Sequence, residues 1–261
     1  MKLNNKRLLE AKRLDKGDNA ADVKELLSVL NEGVILEIGC GTATIIESLS
    51  THLNNSKFYG IDIESYFIQR AKNKKIQNAE FLVANATKRI FKANSFDTVI
   101  FRDSLHEIRE KEGKKGVFLA LNNAYSYLKE GGSLIIRDGL TPNQKKIEFI
   151  LASRKMELIF EKFIEYSGRE FQRKNSRIVM LVKDFVYFLS KIKKIESLNT
   201  SLEESKHYNL EEYKKILNSN GFEVLSQKKY KFSLEKYPGI ITNKRDMPFS
   251  YIMFLCKKII K

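Results

Sequence analysis

Two cysteines in 261 residues, Cys40 and Cys256, leave no material for a disulfide framework, and neither has the spacing of a metal ligand. No apolar run approaches the roughly 18 to 20 residues that a membrane span requires, so no bilayer crossing is expected. The stretch Met1 to Arg13 lacks the continuous apolar core and small-residue cleavage site of a secretory leader, which makes the cytoplasm the expected compartment. Internal repeats and low-complexity linkers are absent as well. What remains is a chain 43% hydrophobic and 30% charged, globular in composition and long enough for one α/β domain with an elaboration.

Charge is present in excess of one sign. The net charge is +15, and it is uneven: residues 139–261 carry 25 Lys and Arg against 14 Asp and Glu, while the first 138 carry 22 against 18. Such a balance suits either a nucleic-acid surface or lysines on solvated faces of a Lys-, Asn- and Ile-rich chain.

The most informative stretch is Val34-Ile35-Leu36-Glu37-Ile38-Gly39-Cys40-Gly41-Thr42-Ala43, followed about twenty residues later by Phe58-Tyr59-Gly60-Ile61-Asp62-Ile63. A β-branched apolar run reads as a buried strand, and a Gly-x-Gly turn after it lets a ligand approach the backbone before a helix starts near Thr44. The acid closing the second run suits a ribose diol, because a carboxylate accepts two hydroxyl hydrogen bonds. Further strands are expected at Ala79 to Ala84, Thr98 to Phe101 and Ser133 to Arg137, with helices at about Asn19 to Leu30, Glu64 to Lys72 and Lys111 to Leu128. A helix from Asn209, a strand from Phe222 towards Tyr230 and a strand from Pro248 to Leu255 complete the pattern. The last two follow each other without a helix, which implies an antiparallel hairpin.

These motifs resemble the class I S-adenosylmethionine-dependent methyltransferases over residues 18–138 and 209–258, with Glu37, Gly39 and Gly41 matching their first motif and Ala43 standing at the usual third glycine. The resemblance implies a Rossmann-like seven-stranded, mostly parallel sheet whose last strand is antiparallel, helices on both faces, and a helical insertion after strand five. It implies S-adenosylmethionine as cofactor and S-adenosylhomocysteine as product. Residues 1–17 read as a basic helical cap, residues 18–261 as the methyltransferase domain, and residues 140–208 as an inserted helical lid. The insertion carries Ile147, Ile150, Leu151, Leu158 and Ile159, then Val182, Phe185, Phe188, Leu189 and Ile192, at helical spacing; helices that pad the core or pair two subunits in a homodimer explain them equally well.

The resemblance assigns cofactor contacts to the turn Gly39, Cys40 and Gly41 through its backbone amides, to Glu37 beside the ammonium group, and to Asp62 on the ribose with Ile63 on adenine. After strand three, Asn85 and Ala86 replace the usual Asp-Ala, so Asn85 offers one carbonyl acceptor to the adenine amino group. After strand four, Phe101 and Arg102 border the methionine end, with Asp103 and His106 at the acceptor. His106, with an ordinary pKa near 6.5, is the candidate general base at neutral pH, and Asp138 after strand five is a candidate orienting residue. Leu105-His106 as mere packing at the strand exit, and Arg137-Asp138 as a structural ion pair, are the bland alternatives.

Absences narrow the acceptor. Phe101 to Ser104 contains no proline, unlike the Asn/Asp-Pro-Pro-aromatic run of base amino methylation, and no cysteine lies beyond strand four or five for cytosine carbon-5 or arsenic chemistry. The wording Ser-Leu-His-Glu-Ile resembles the small-molecule branch. An RNA substrate on the basic segment from Gln144 to Lys194, with Phe171, Tyr187 and Phe188, is the first alternative. A cofactor-binding module without turnover is the second. The Tyr125-x-x-x-Lys129 spacing of short-chain dehydrogenases reads as coincidence, because it closes a helix on the opposite rim.

Overall fold

A computed structural model describes residues 20–142, 145–169, 171–174, 177–196, 207–231, 234, 237–242 and 249–259; the expected cap at residues 1–17 lies outside them. The described chain runs α1 (Ala20–Leu27), β1 (Val34–Ile38), α2 (Thr44–Ser50), β2 (Lys57–Asp62), α3 (Ser65–Asn73), β3 (Ala79–Val83), β4 (Phe96–Arg102), α4 (Leu105–Tyr127) and β5 (Leu128–Gly139). It continues through β6 (Lys146–Leu151), α5 (Arg154–Ser167), β7 (Gln172–Lys174), β8 (Arg177–Leu181), α6 (Val182–Glu196), α7 (Leu210–Ser219), β9 (Phe222–Lys231), β10 (Ile240–Thr242) and β11 (Phe249–Lys258).

Seven strands form one sheet in the order β3-β2-β1-β4-β5-β11-β9, with the pairs among β1 to β5 all parallel. Its central strands are apolar along their length because both faces are covered: Ile35, Leu36 and Ile38 of β1 and Val99, Ile100 and Phe101 of β4 are each at most 2% exposed. The last strand is antiparallel. Leu140, just past the end of β5, donates its amide to Ser250 near the start of β11, and Lys258 at the end of β11 reaches the Leu128 carbonyl where β5 begins. The chain leaves β1 for β2 and β3 on one side, then returns for β4 and β5 on the other. That reversal opens a crevice beyond the carboxyl ends of β1 and β4.

The chain divides into two compact units, one running up to Asp138 with Glu211–Lys228 and the residues from Met253 on, the other comprising Gly139–Leu210 and Lys229–Ile252. The second differs from the expected purely helical insertion. Its two helices are present, but a four-stranded sheet, β10-β6-β8-β7, accompanies them. Ile147, Ile150 and Leu151 lie in a strand, not a helix, because Ile147, Phe149 and Leu151 alternate with Lys146, Glu148 and Ile150 so that one face alone is buried. The unit also extends past residue 208. The chain between β9 and β11 contributes β10, antiparallel to β6, so those two strands are not joined by a simple hairpin.

Within this unit, α5 is capped by Ser153, whose hydroxyl accepts the Met156 amide, and stopped by Gly168 in the left-handed conformation. Its stripe of Met156, Ile159, Phe160 and Phe163 meets Phe185 and Phe188 of α6 and Phe149 of β6. Each buried phenylalanine contributes about 1.5 to 3 kcal/mol, so this aromatic core accounts for the unit's cohesion.

Candidate functional site: a cleft at the strand ends

One cleft of about 490 Å³, open to solvent, lies among Ile38 and Gly39 after β1, Ile61, Asp62 and Ile63 after β2, Ala84, Asn85 and Ala86 after β3, and Ser104, Glu107, Ile108, Lys111 and Glu112 of the β4–α4 segment. Its position outside parallel strand ends suits a nucleoside-bearing ligand. Gly39 makes the approach possible. It holds φ +80°, and a Cβ there would sit 2.5 Å from Cβ of Ser104, whose hydroxyl in turn donates to the Ile38 carbonyl. Ala43, at the usual glycine, adopts the left-handed conformation at φ 61°, so this departure carries a backbone cost of about 1 kcal/mol.

The turn amides serve the protein itself, contrary to their expected role towards the cofactor. Gly39 and Cys40 both donate to the Ile61 carbonyl, and Gly41 donates to Oδ2 of Asp62 at 2.9 Å. The physical reason is that β1 ends beside β2, whose Ile61 carbonyl and Asp62 carboxylate face the turn. Asp62 Oδ1 accepts the Glu64 amide at 2.9 Å. Burial raises the Asp62 pKa against these two amide hydrogen bonds, and its remaining lone pairs are those available to hydroxyls in the cleft. Ile63, 48% exposed, offers an apolar surface next to it.

Glu37 lies behind this turn, 3% exposed, and its Oε2 finds no hydrogen-bond partner among the described residues. Burial pushes its carboxyl up to about 8, opposed by Arg102 and aided by Asp62 and Asp103. A buried acid without a partner is costly and fits a cationic group arriving with a ligand. Cys40 is inert: burial raises its thiol pKa, with Glu37 adding to the effect.

Of the expected cofactor residues, Gly39, Asp62, Ile63, Asn85 and Ala86 line the cleft. Phe101 is fully buried in the sheet. Arg102 is turned to Asp22 of α1, donating from Nε at 3.2 Å and Nη2 at 2.8 Å, while Arg137 Nη2 reaches the other Asp22 oxygen at 2.7 Å. Asp103 belongs to the same network, 3.4 Å from Arg137 Nη1, with a left-handed backbone at φ 51°. Burial raises its carboxyl, with Arg102 opposing. Arg102 and Asp103 thus tie α1 to the ends of β4 and β5, a role for which α1 gave no motif.

His106 and Asp138 are brought together. The fully buried Asp138 carboxylate accepts the His106 amide at 3.0 Å and contacts its Nδ1 at 2.7 Å. Burial pulls the imidazole down, but Asp138 outweighs it and lifts the pKa to about 9. This corrects the expectation of a neutral imidazole at pH 7. Ser104 and Glu107 belong to the segment after strand four that the resemblance places at the site, whereas Ile108, Lys111 and Glu112 were not legible as site residues. Their one signal is the pair Gly113 and Gly116 inside a helical stretch, which marks a break near the cleft.

A family model described as "Methyltransferase domain" matches residues 31–231. A phosphoethanolamine N-methyltransferase 1 from wheat (Triticum aestivum) is 29% identical over 112 residues, which is 40% of this chain but only 20% of that protein. Among solved structures, an S-adenosylmethionine-dependent methyltransferase from Mesorhizobium loti superposes with TM-score 0.60 at 14% identity, covering 94% of this chain and all of that one. One from Methanosarcina mazei does so with TM-score 0.56 at 17% identity, covering 90% and 97%. The chain therefore belongs to the methyltransferase domain family, and its fold is that of the S-adenosylmethionine-dependent methyltransferases on which it superposes.

Proposed function

We propose that the protein methylates an oxygen or nitrogen of a small-molecule acceptor that carries a proton to be lost. The observation that carries this reading is the His106–Asp138 pair at the exits of β4 and β5. In this reading Asp62 holds the ribose hydroxyls, Ile63 packs on the base and Glu37 balances the ammonium group. When bound, the cofactor supplies a methyl group on an electrophilic sulfonium. The protein's part is to align the acceptor, exclude water and take a proton at Nε2 of His106, while Asp138 at Nδ1 fixes the ring's tautomer.

A small acceptor is supported by the fate of the basic segment. Arg177 pairs with Glu148 at 2.7 Å, Lys155 with Glu196 at 2.6 Å, Arg173 with Glu157 at 3.5 Å and Arg169 with Asp184. Phe188 is fully buried and Tyr187 is 8% exposed, which removes those rings from base stacking. The wheat relative, named for a small amine acceptor, points the same way.

The pH profile tests the base. Because Asp138 raises the imidazole to about 9, turnover is expected to rise with pH through neutrality and level off near 9. His106→Asn should lower turnover by roughly a hundredfold and flatten that rise. Asp138→Asn should move the plateau to lower pH, because the imidazole loses the group that holds its proton. A profile unchanged in both variants removes the pair from the chemistry. The same proton stabilises the fold below about pH 6.5, and that contribution is lost as pH climbs through about 9.

A further inference from the structure

The end of the cleft at β3 is built differently from the rest. Asn85, the expected acceptor there, has its carbonyl engaged within the protein: Oδ1 accepts the Thr87 amide at 2.8 Å and lies 2.9 Å from the Thr87 hydroxyl. Its Nδ2 donates to Oε1 of Glu112 at 2.7 Å, and the Thr87 hydroxyl lies 3.2 Å from Oε2. The one Thr87 hydroxyl proton goes to either oxygen, so Glu112, with about four lone-pair positions, keeps at least two for a ligand, whereas Asn85 Oδ1, with two, keeps at most one.

Two glycines put Glu112 in this place. Gly113, at φ 68° and ψ −168°, breaks α4 immediately after it. Gly116 makes room: a Cβ there would lie 2.4 Å from Cβ of Glu112. A continuous helix would carry this side chain elsewhere, so the break and the small residue together fix the carboxylate at the mouth of the cleft beside Asn85.

We propose that Glu112 is the specificity-determining acceptor for the exocyclic amino group of the cofactor's purine, with Asn85 a positioning residue that aims it. The assignment rests on the reading that Asp62 holds the ribose, which directs the base towards the β3 exit. An amino group donates to the carboxylate. A 6-oxo purine presents a carbonyl oxygen instead, and two acceptors repel.

Calorimetric titration of the full-length protein with S-adenosylhomocysteine and its deaminated counterpart, S-inosylhomocysteine, tests this. The wild type should prefer the amino form by roughly tenfold or more. Glu112→Ala should bind the amino form about tenfold less tightly and the 6-oxo form no less tightly, because Asn85 Nδ2 is released to donate to the oxygen, so the preference falls below about threefold. Gly116→Ala displaces Glu112 without removing it and should produce the same loss. Glu112 is exposed, so melting temperatures of the Glu112 variants should match the wild type. A Glu112→Ala protein that keeps the wild-type preference overturns the assignment alone. A wild type that binds neither ligand overturns the ribose reading and this assignment with it.

Discussion

Glu37→Gln is expected to raise the melting temperature at neutral pH while weakening cofactor binding. The folded state holds the Glu37 carboxyl at about 8 against an ordinary 4.5, so between those values the folded chain binds a proton that the unfolded chain releases. Stability therefore falls as pH rises through this window. At pH 7 the cost is about 3 kcal/mol, and glutamine, neutral in both states, avoids it. For a chain of this size that corresponds to a gain of roughly 5 to 10 °C, largest above pH 8 and vanishing below about 4.5. Binding moves in the opposite direction: without a negative charge to meet the ammonium group, affinity for S-adenosylhomocysteine should drop by roughly tenfold or more at pH 8. Scanning calorimetry and titration across pH 5 to 9 check both. An unchanged melting temperature would mean that the buried acid is not strained, and the ammonium assignment would lose its basis.

Asp22→Ala should have the largest cost to the fold. Asp22, Arg102 and Arg137 have side chains 15 to 16% exposed, and the one carboxylate accepts from both guanidinium groups. Removing it leaves two part-buried cations competing for the weaker contacts to Asp103 at 3.4 and 3.9 Å and to Glu25 at 3.9 Å. Breaking a buried pair in this way costs about 3 to 5 kcal/mol. Asp22→Asn, which keeps one carbonyl acceptor, should lose less. Urea unfolding measures both, and a loss below about 1 kcal/mol would reduce the network to an ordinary surface pair.

The parallel sheet was legible because its strands are apolar through their length and end in glycine or acid, as at Gly39 and Asp62. Those ends are also where the cleft lies, and Ile63, Asn85 and Ala86, which the resemblance named, line it. The inserted unit was harder. Ile147, Ile150 and Leu151 satisfy a helical spacing, and over six residues the strand alternation that includes Phe149 competes with it on equal terms; only pairing with β8 and β10 decides. The carboxylate of Glu112 was invisible for another reason. It lies in a run of charged residues typical of a solvated helix face, and its role depends on a helix break that turns one of them towards Asn85. The raised pKa of His106 was not legible, because Asp138 is 32 residues away in sequence and 2.7 Å away in space.

Both sheets take a strand from the same late stretch of chain: β10 pairs with β6, and β11 lies between β5 and β9. During synthesis, β6 and β8 can therefore form their ladder early, but β9 has no neighbour in its sheet until the residues after Phe249 emerge. Assembly waits on the final segment in both units. A nascent chain halted before β10 would leave β5, β6 and β9 each lacking a strand partner, which makes it a target for chaperones and proteases. The same threading means that the second unit, drawn from two stretches of chain, cannot be gained or lost through a single insertion or deletion.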